Sequence, residues 1–308
     1  RQGGGGGMVV LAEAPEASKK QDEGTAQGKA NTRPKPGRVR GGGGAFTESA
    51  LLCEPVGWFQ GMFRQRNGTP RQGSLIPAAK GVIRLNRDYL GPDMHYSLEG
   101  LEDFTHLYVL FHFHANPRHR WSLKVSPPRL NGQKRGVFST RAPIRPNPIG
   151  LSIVKLEEIY EDSILVSGVD LVDDTPILDI KPYLPAYDSF PDASYPSWIH
   201  GDGTAETPVE VEWSETAERQ LGELAGELRY FPGAEEAREG IRQVLASEPR
   251  SAYRREKCQG QPYQFTLDDM NVRCVFSETD KRVLVYAVER WALGTEQPDP
   301  STAAPEYE

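Results

Sequence analysis

From residue 53 onward, apolar and polar positions alternate in short runs separated by Gly, Pro, Asn and Asp, a period-two pattern that predicts strands. The first strand is read at 53–59 (CEPVGWF), and Asn67-Gly68 marks a turn after it. KGVIRL at 80–85 alternates as a half-buried strand does, and 89–100 reads as a loop with a short helix. THLYVLFHFH at 105–114 is nearly continuous in aromatic and β-branched residues, which predicts a strand buried on both faces. Residues 118–129 form a polar, proline-marked loop, and VFST at 137–140 is expected to be extended. LSIVKLEEIY at 151–160 and SILVSGVDL at 163–171 form a hairpin about Glu161-Asp162; ILDIKPYL at 177–184 follows a turn at Asp173-Asp174. Six or seven short strands with little helix close their edges best as a barrel or a compact sandwich.

The pattern changes after a Pro/Gly/Ser-rich connector at 190–207. A helical period covers 214–231 with Ser214 as N-cap, and a second helix covers 234–247 with Ile241, Val244 and Leu245 on one face. Three strands follow at 262–267, 271–276 and 282–289, with turns at 268–271 and 278–281, so this part is a small α+β unit. The division expected is a low-complexity arm at 1–48, a β-barrel at 49–192, a connector at 193–208, the α+β unit at 209–292 and a polar tail at 293–308. The arm carries glycine runs and lysines and arginines with almost no apolar side chains, so it cannot repay the entropy of ordering and is expected to be disordered. It is read as a linker before an RNA tether; Glu13, Glu16, Asp22 and Glu23 count against a transit-peptide remnant, the reading that would place the protein in an organelle. The chain starts without Met and is expected to be a fragment or a processed product.

Composition narrows the partners. No run approaches the ~20 apolar residues a membrane span needs, so a soluble protein without a membrane partner is predicted. A net charge of −7 argues against a generally basic nucleic-acid coat, and confines any RNA contact to a local patch. Cys53, Cys258 and Cys274 are scattered and lack CxxC spacing, which reads as three reduced thiols in a cytoplasm-like compartment.

Candidate chemistry lies in two loops. The segment GVFSTRAPIRPNPIG (136–150) is stiffened by Pro143, Pro146 and Pro148 and carries Arg141, Arg145 and Asn147. A guanidinium on a stiff loop suits a carboxylate or phosphate held without prior ordering. VDLVDDTPILDIKPYLPAYD (169–188) answers it with carboxylates, and Asp179, Lys181 and Tyr183 share one strand face. Asp179 and Lys181 are either a structural ion pair at a strand end or groups that orient a substrate or carry a proton. His112 and His114 have the i, i+2 spacing of a metal-binding strand, but no carboxylate or third ligand follows at suitable spacing, so no metal is predicted. There is no GxSxG, no GxxxxGK[ST] and no GxGxxG between a strand and a helix, so a doubly wound nucleotide fold is unsupported and a nucleoside ligand must sit in barrel loops.

Four segments then carry a resemblance: TPRQ (69–72), LEDFTHLYVLFHFHAN (101–116), GVFSTRAPIRPNPIGLS (136–152) and VDLVDDTPILDIKPYLPAYD (169–188). With LASEPRSAYRR (245–255) they resemble the TrmO (TsaA-like) family of S-adenosylmethionine-dependent tRNA methyltransferases. The resemblance implies a mainly β fold, with a closed β-barrel methyltransferase domain and a small C-terminal α+β domain, to which composition adds the disordered arm before them. It also implies a homodimer whose cofactor pocket draws on both subunits, and methylation of N6 of threonylcarbamoyl-adenosine beside the anticodon of threonine tRNAs. Carried over motif by motif, contacts to S-adenosylmethionine are expected at Pro70, Arg71, Gln72, His114, Ala115, Arg141, Leu151, Asp173, Asp174, Thr175 and Pro176. The family's usual D-G-T-P reads Asp173-Asp174-Thr175-Pro176 here, and Asp is among the few side chains able to follow a left-handed glycine, at a cost of about 1 kcal/mol. For the reaction, Asp179 or Tyr183 serves as base, or proximity alone suffices; Lys181 accompanies Asp179, and Arg145 pairs the threonyl carboxylate. The competing readings are a non-catalytic RNA-binding barrel and a metal-dependent barrel enzyme.

Overall fold

The computed structural model describes residues 53–116, 121–127, 130, 132–199, 210–250, 252–258, 260–277 and 282–291. The arm at 1–48, residues 200–208 of the connector and the tail from 293 lie outside the described residues.

Alternation in the sequence becomes a closed six-stranded barrel. Its strands are β1 (Gly57–Gly61), β2 (Lys80–Leu85), β3 (His106–His112), β6 (Ile149–Ile159), β7 (Ser163–Ser167) and β8 (Thr175–Pro182), in the spatial order β1-β2-β7-β6-β3-β8. Between β3 and β6 lies a two-stranded ribbon, β4 (Lys124–Val125) and β5 (Arg135–Gly136). One-turn helices α1 (Arg87–Leu90) and α2 (Pro185–Asp188) follow β2 and β8. Phe59, Ile83, Leu107, Val109, Phe111, Val154, Ile164, Val166 and Ile177 fill the interior. Two glycines make room for the largest of them: a Cβ on Gly81 would lie 2.2 Å from the Phe59 ring, and one on Gly150 would lie 2.2 Å from the Phe111 ring. Bulges between Leu110 and Phe111 and between Leu156 and Glu158 bend the strands where the wall must curve.

Every neighbouring pair around the barrel is antiparallel. As a result β1, β3 and β7 end, and β2, β6 and β8 begin, at the same rim. The three connections leaving that rim are 62–79, 113–148 and 168–174, which hold the TPRQ, HFHAN, TRAPIRPNPIG and VDD segments. Topology therefore gathers, at one end, segments that lie up to a hundred residues apart.

The second body is a four-stranded sheet ordered β10-β11-β12-β9, from β9 (Glu210–Trp213), β10 (Pro262–Leu267), β11 (Met270–Phe276) and β12 (Arg282–Arg290). Helix α3 (Glu215–Leu224) packs against β12 and α4 (Ala234–Ala246), and α5 (Ala252–Lys257) precedes β10. As expected, Ser214 caps α3, its Oγ accepting from the Ala217 N–H at 3.1 Å, and Ile241, Val244 and Leu245 are buried.

Four expectations change. Strand β3 is not buried on both faces: Leu107, Val109 and Phe111 point inward while Tyr108, Leu110 and His112 are only half-buried, because a closed barrel has one interior. The VFST segment is a 3-10 turn, Val137–Ser139, since the Ser139 and Thr140 hydroxyls donate to the Gly136 and Val137 carbonyls at 2.8 Å. The first long helix ends at Leu224; the chain then turns so that the N–H groups of Arg229, Tyr230 and Phe231 donate to the buried Asp268 carboxylate. Strand β9, parallel to β12, was not expected, although VEVEW at 209–213 alternates. No helix among the described residues is long and apolar enough to cross a membrane, and the three cysteines are unpaired.

Candidate active site

The rim loops touch one another through side chains. On 62–79, Pro70 is buried and Gly73 packs so closely on 168–174 that a Cβ would meet the Gly168 carbonyl oxygen at 1.8 Å. Arg141, on the proline-stiffened loop, donates from Nη1 to Gln72 Oε1 at 2.6 Å, which joins the arginine loop to TPRQ. Arg145 turns back on its own loop: Nη1 donates to the carbonyls of Thr140 and Ala142 at 3.2 and 3.4 Å. Beneath them, Asp170 accepts from Ser152 Oγ at 2.5 Å. Burial pushes its carboxyl up to about 6, against the pull of the Ser152 hydrogen bond and the Arg141 charge.

The DDTP turn forms the other side. Thr175 Oγ1 donates to the Val172 carbonyl at 2.6 Å and lies 3.4 Å from His114 Nδ1. Desolvation, followed by the neighbouring His112, lowers the His114 pKa, and the charges of Asp174 and Asp173 offset only part of this. These contributions favour the neutral imidazole of His114. Asp173 accepts from the Gly61 N–H at 2.9 Å and is ion-paired with Arg64, whose Nη2 reaches Asp269 Oδ1 at 2.9 Å. The Asp268 N–H donates to the Met62 carbonyl at 2.8 Å, so the β10–β11 turn of the second body braces this side of the rim. Asp174 has φ of +58°, the left-handed conformation that a glycine would adopt freely.

The structure thus brings together Pro70, Arg71, Gln72, Arg141, Arg145, His114, Ala115, Asp173, Asp174, Thr175 and Pro176 at one rim. It does not bring Asp179, Lys181 and Tyr183 there. Lys181 Nζ pairs with Asp179 Oδ2 at 2.7 Å on the outer wall, and the Tyr183 ring meets Tyr108 edge-on at 5.5 Å. At ~3.3 Å per residue, Asp179 is about 13 Å and Tyr183 about 26 Å along the strand from Thr175. Leu151 also faces outward, 56% exposed, between Ile149 and Ile153. Among the described residues no group of three His, Cys, Asp or Glu side chains is placed to hold a metal ion. Sequence reasoning missed Asp170, Ser152, Arg64 and Asp269; a carboxylate between Val169 and Leu171 in an apolar run was the available signal for the first.

With this geometry in place, comparison with known proteins decides the family. The model of the tRNA-methyltransferase O N-terminal domain matches residues 58–189, and that of the TrmO C-terminal domain matches 206–290. The tRNA (adenine(37)-N6)-methyltransferase of Escherichia coli (strain K12) is 40% identical over 246 residues, 78% of this chain and 99% of that protein. The chain belongs to the TrmO family. A Pseudomonas aeruginosa relative, 41% identical over 230 residues (73% of this chain, 93% of that protein), carries a name that refers to an S-adenosylmethionine-dependent methyltransferase. A crystal structure of TrmO superposes with a TM-score of 0.60 at 37% identity, covering 78% of this chain and 99% of that one. The two TrmO models fall on the two bodies described above: the barrel with its loop-bearing rim, and the sheet whose Asp268–Asp269 turn supports that rim.

Proposed function

We propose that this chain transfers a methyl group from S-adenosylmethionine to N6 of the adenine at position 37 of tRNA, as the name of its E. coli relative states for that protein. The observation that carries the reading is the convergence of TPRQ, the arginine loop and the DDTP turn at one barrel rim within a chain that matches both TrmO domains. The donor set fits the cofactor. Asp174 offsets a sulfonium charge beside the Arg64-paired Asp173, Gln72 and Arg141 suit its carboxylate, and Pro70 and Pro176 supply apolar contact, with Leu151 reaching the cofactor only from the outer wall of a second copy. His114, whose neutral form is favoured by desolvation, lines this side of the pocket. S-adenosylmethionine supplies the methyl group as an electrophile bonded to sulfur. The chain's own tasks are to align N6 and to receive its proton.

The finer substrate is threonylcarbamoyl-adenosine in threonine tRNAs. Its carbamoyl group acidifies the N6 proton, so Asp179, Tyr183 or alignment alone meets the demand for a base, with Lys181 holding Asp179. Arg145 reads the threonyl carboxylate with Nε and Nη2, which its two loop contacts leave available. The working unit is a homodimer. Asp179, Lys181 and Tyr183 lie too far from the rim of their own barrel and act at the rim of a second copy. Exposed Ile149, Leu151 and Ile153, beside Tyr108 and Leu110, provide the apolar wall for that contact.

Transfer of labelled methyl to threonine tRNA with and without the threonylcarbamoyl group tests the reading. Label on the modified tRNA alone is expected. In Arg145→Ala, discrimination between the two tRNAs is expected to fall by at least about tenfold, since a carboxylate-reading arginine is worth some 1.5–3 kcal/mol. Cofactor binding without transfer to either tRNA would point to another acceptor, and undiminished discrimination in the variant would remove Arg145 from substrate recognition.

A further inference from the structure

Residues 104–156 contain no Asp or Glu, yet hold Arg118, Arg120, Lys124, Arg129, Lys134, Arg135, Arg141, Arg145 and Lys155, in a chain whose net charge is −7. The charge asymmetry has a structural counterpart. On the rest of the barrel and on the second body most described cations are matched, among them Arg84 with Asp162, Lys181 with Asp179, Arg219 with Glu223, Arg242 with Glu239, Arg250 with Glu248 and Arg273 with Glu289, while Arg66, Lys80, Arg87 and Arg229 are scattered exceptions. On the β4–β5 ribbon and the loop after it, Lys124, Lys134, Arg135, Arg141 and Arg145 have no ion-pair partner among the described residues.

Large apolar side chains stand out among these unmatched cations. Phe138 is 79% exposed, Leu123 71% and Trp121 52%, all within or beside the ribbon. Such groups are usually buried, and among the described residues neither a second sheet nor a helix covers them. The ribbon is not a detached flap. The Val137 N–H donates to the Leu123 carbonyl at 3.0 Å, the Val137–Ser139 turn leads to Arg141, and Arg141 is bonded to Gln72 at the rim.

We infer that the β4–β5 ribbon and the 137–139 turn form the surface that grips the single-stranded part of an RNA substrate, with bases against Phe138 and Trp121 and phosphates on Lys124, Lys134 and Arg135. Unmatched cations interleaved with exposed aromatic rings are the combination that single-stranded nucleic acid needs: stacking is tolerant of sequence, and the cations follow the backbone. An acidic protein partner would satisfy the charges but gives no reason for exposed flat rings among them. This inference rests on the reading of the rim as a tRNA-methylating site, and assigns the element by which the tRNA is held there.

The test is equilibrium binding of unmodified and modified threonine tRNA to the full chain over a salt series, with S-adenosylmethionine binding and oligomeric state measured in parallel. In the double variant Lys124→Ala/Lys134→Ala, tRNA affinity is expected to fall about tenfold or more, and the salt slope to decrease by roughly 1.4. In Phe138→Ala, affinity is expected to fall at least about fivefold with the salt slope unchanged, because stacking releases no counterions. Cofactor affinity and oligomeric state should match the wild type in both. Variants that bind tRNA with wild-type affinity and salt slope would overturn the assignment. Wild-type tRNA binding without methyl transfer would count against the enzymatic reading while leaving the surface in place, so the two failures are distinguishable.

Discussion

The backbone of the DDTP turn makes a measurable demand. Asp174 occupies the left-handed region where a glycine is free of strain, as its place in the Asp173-Asp174-Thr175-Pro176 turn led one to expect. Asp174→Gly is expected to raise stability by about 0.5–1 kcal/mol, and Asp174→Ala to lower it by a similar amount, read from urea midpoints. Equal stabilities of the three proteins would mean that the turn relaxes. Asp170 makes a different prediction. Its folded pKa, about 6, is raised above the ordinary carboxylate value of 3.8, so the stability it contributes is present below pH 3.8 and is lost as pH rises through 6. Asp170→Asn does not titrate. Its stability relative to wild type is therefore expected to improve by on the order of 2–3 kcal/mol between pH 4 and 7 and to change little above that. Urea titrations at several pH values decide this, and parallel stability curves would show that Asp170 carries an ordinary carboxyl.

Elements were legible where a local pattern decides them. Period-two alternation located the barrel strands, and Ser214 marked the start of α3. Helix α3 stops early for a reason its own sequence does not hold: Asp268, some forty residues later, captures the N–H groups of Arg229, Tyr230 and Phe231. The hidden part of the rim has the same origin. Arg64 meets Asp173 and Asp269, 109 and 205 residues away, and no local rule pairs residues at such separations. Strand β3 shows the converse error, in which a continuous apolar run was read as two buried faces although its outer side chains are only half-covered within one chain.

That outer wall sets the expectation for the whole molecule. Ile149, Leu151 and Ile153 alternate with inward Gly150, Ser152 and Val154 on β6, so the barrel spends three large apolar side chains on its exterior. A stable pairing buries roughly 800 Å² per partner. Ile153→Glu places a charge in that wall without touching the interior. Sedimentation equilibrium is expected to show a dimer for the wild type and a monomer for Ile153→Glu, with methyl transfer lost alongside the dimer. A wild type that sediments as a monomer would leave Asp179 and Tyr183 without a rim to act on.

The antiparallel closure of the barrel also separates two kinds of tolerance. The loops proposed to bind cofactor or RNA leave from one rim, while the opposite rim is built from the 86–105 connection, the tight Glu161-Asp162 hairpin and the end of β8 that leads to Tyr183. A purification tag, a dye or a tethered fluorescent protein placed at that hairpin, with β3 between it and the strand that carries Asp179 and Lys181, would sit at the end of the barrel remote from the cofactor loops, and the protein could be followed through turnover with those loops untouched.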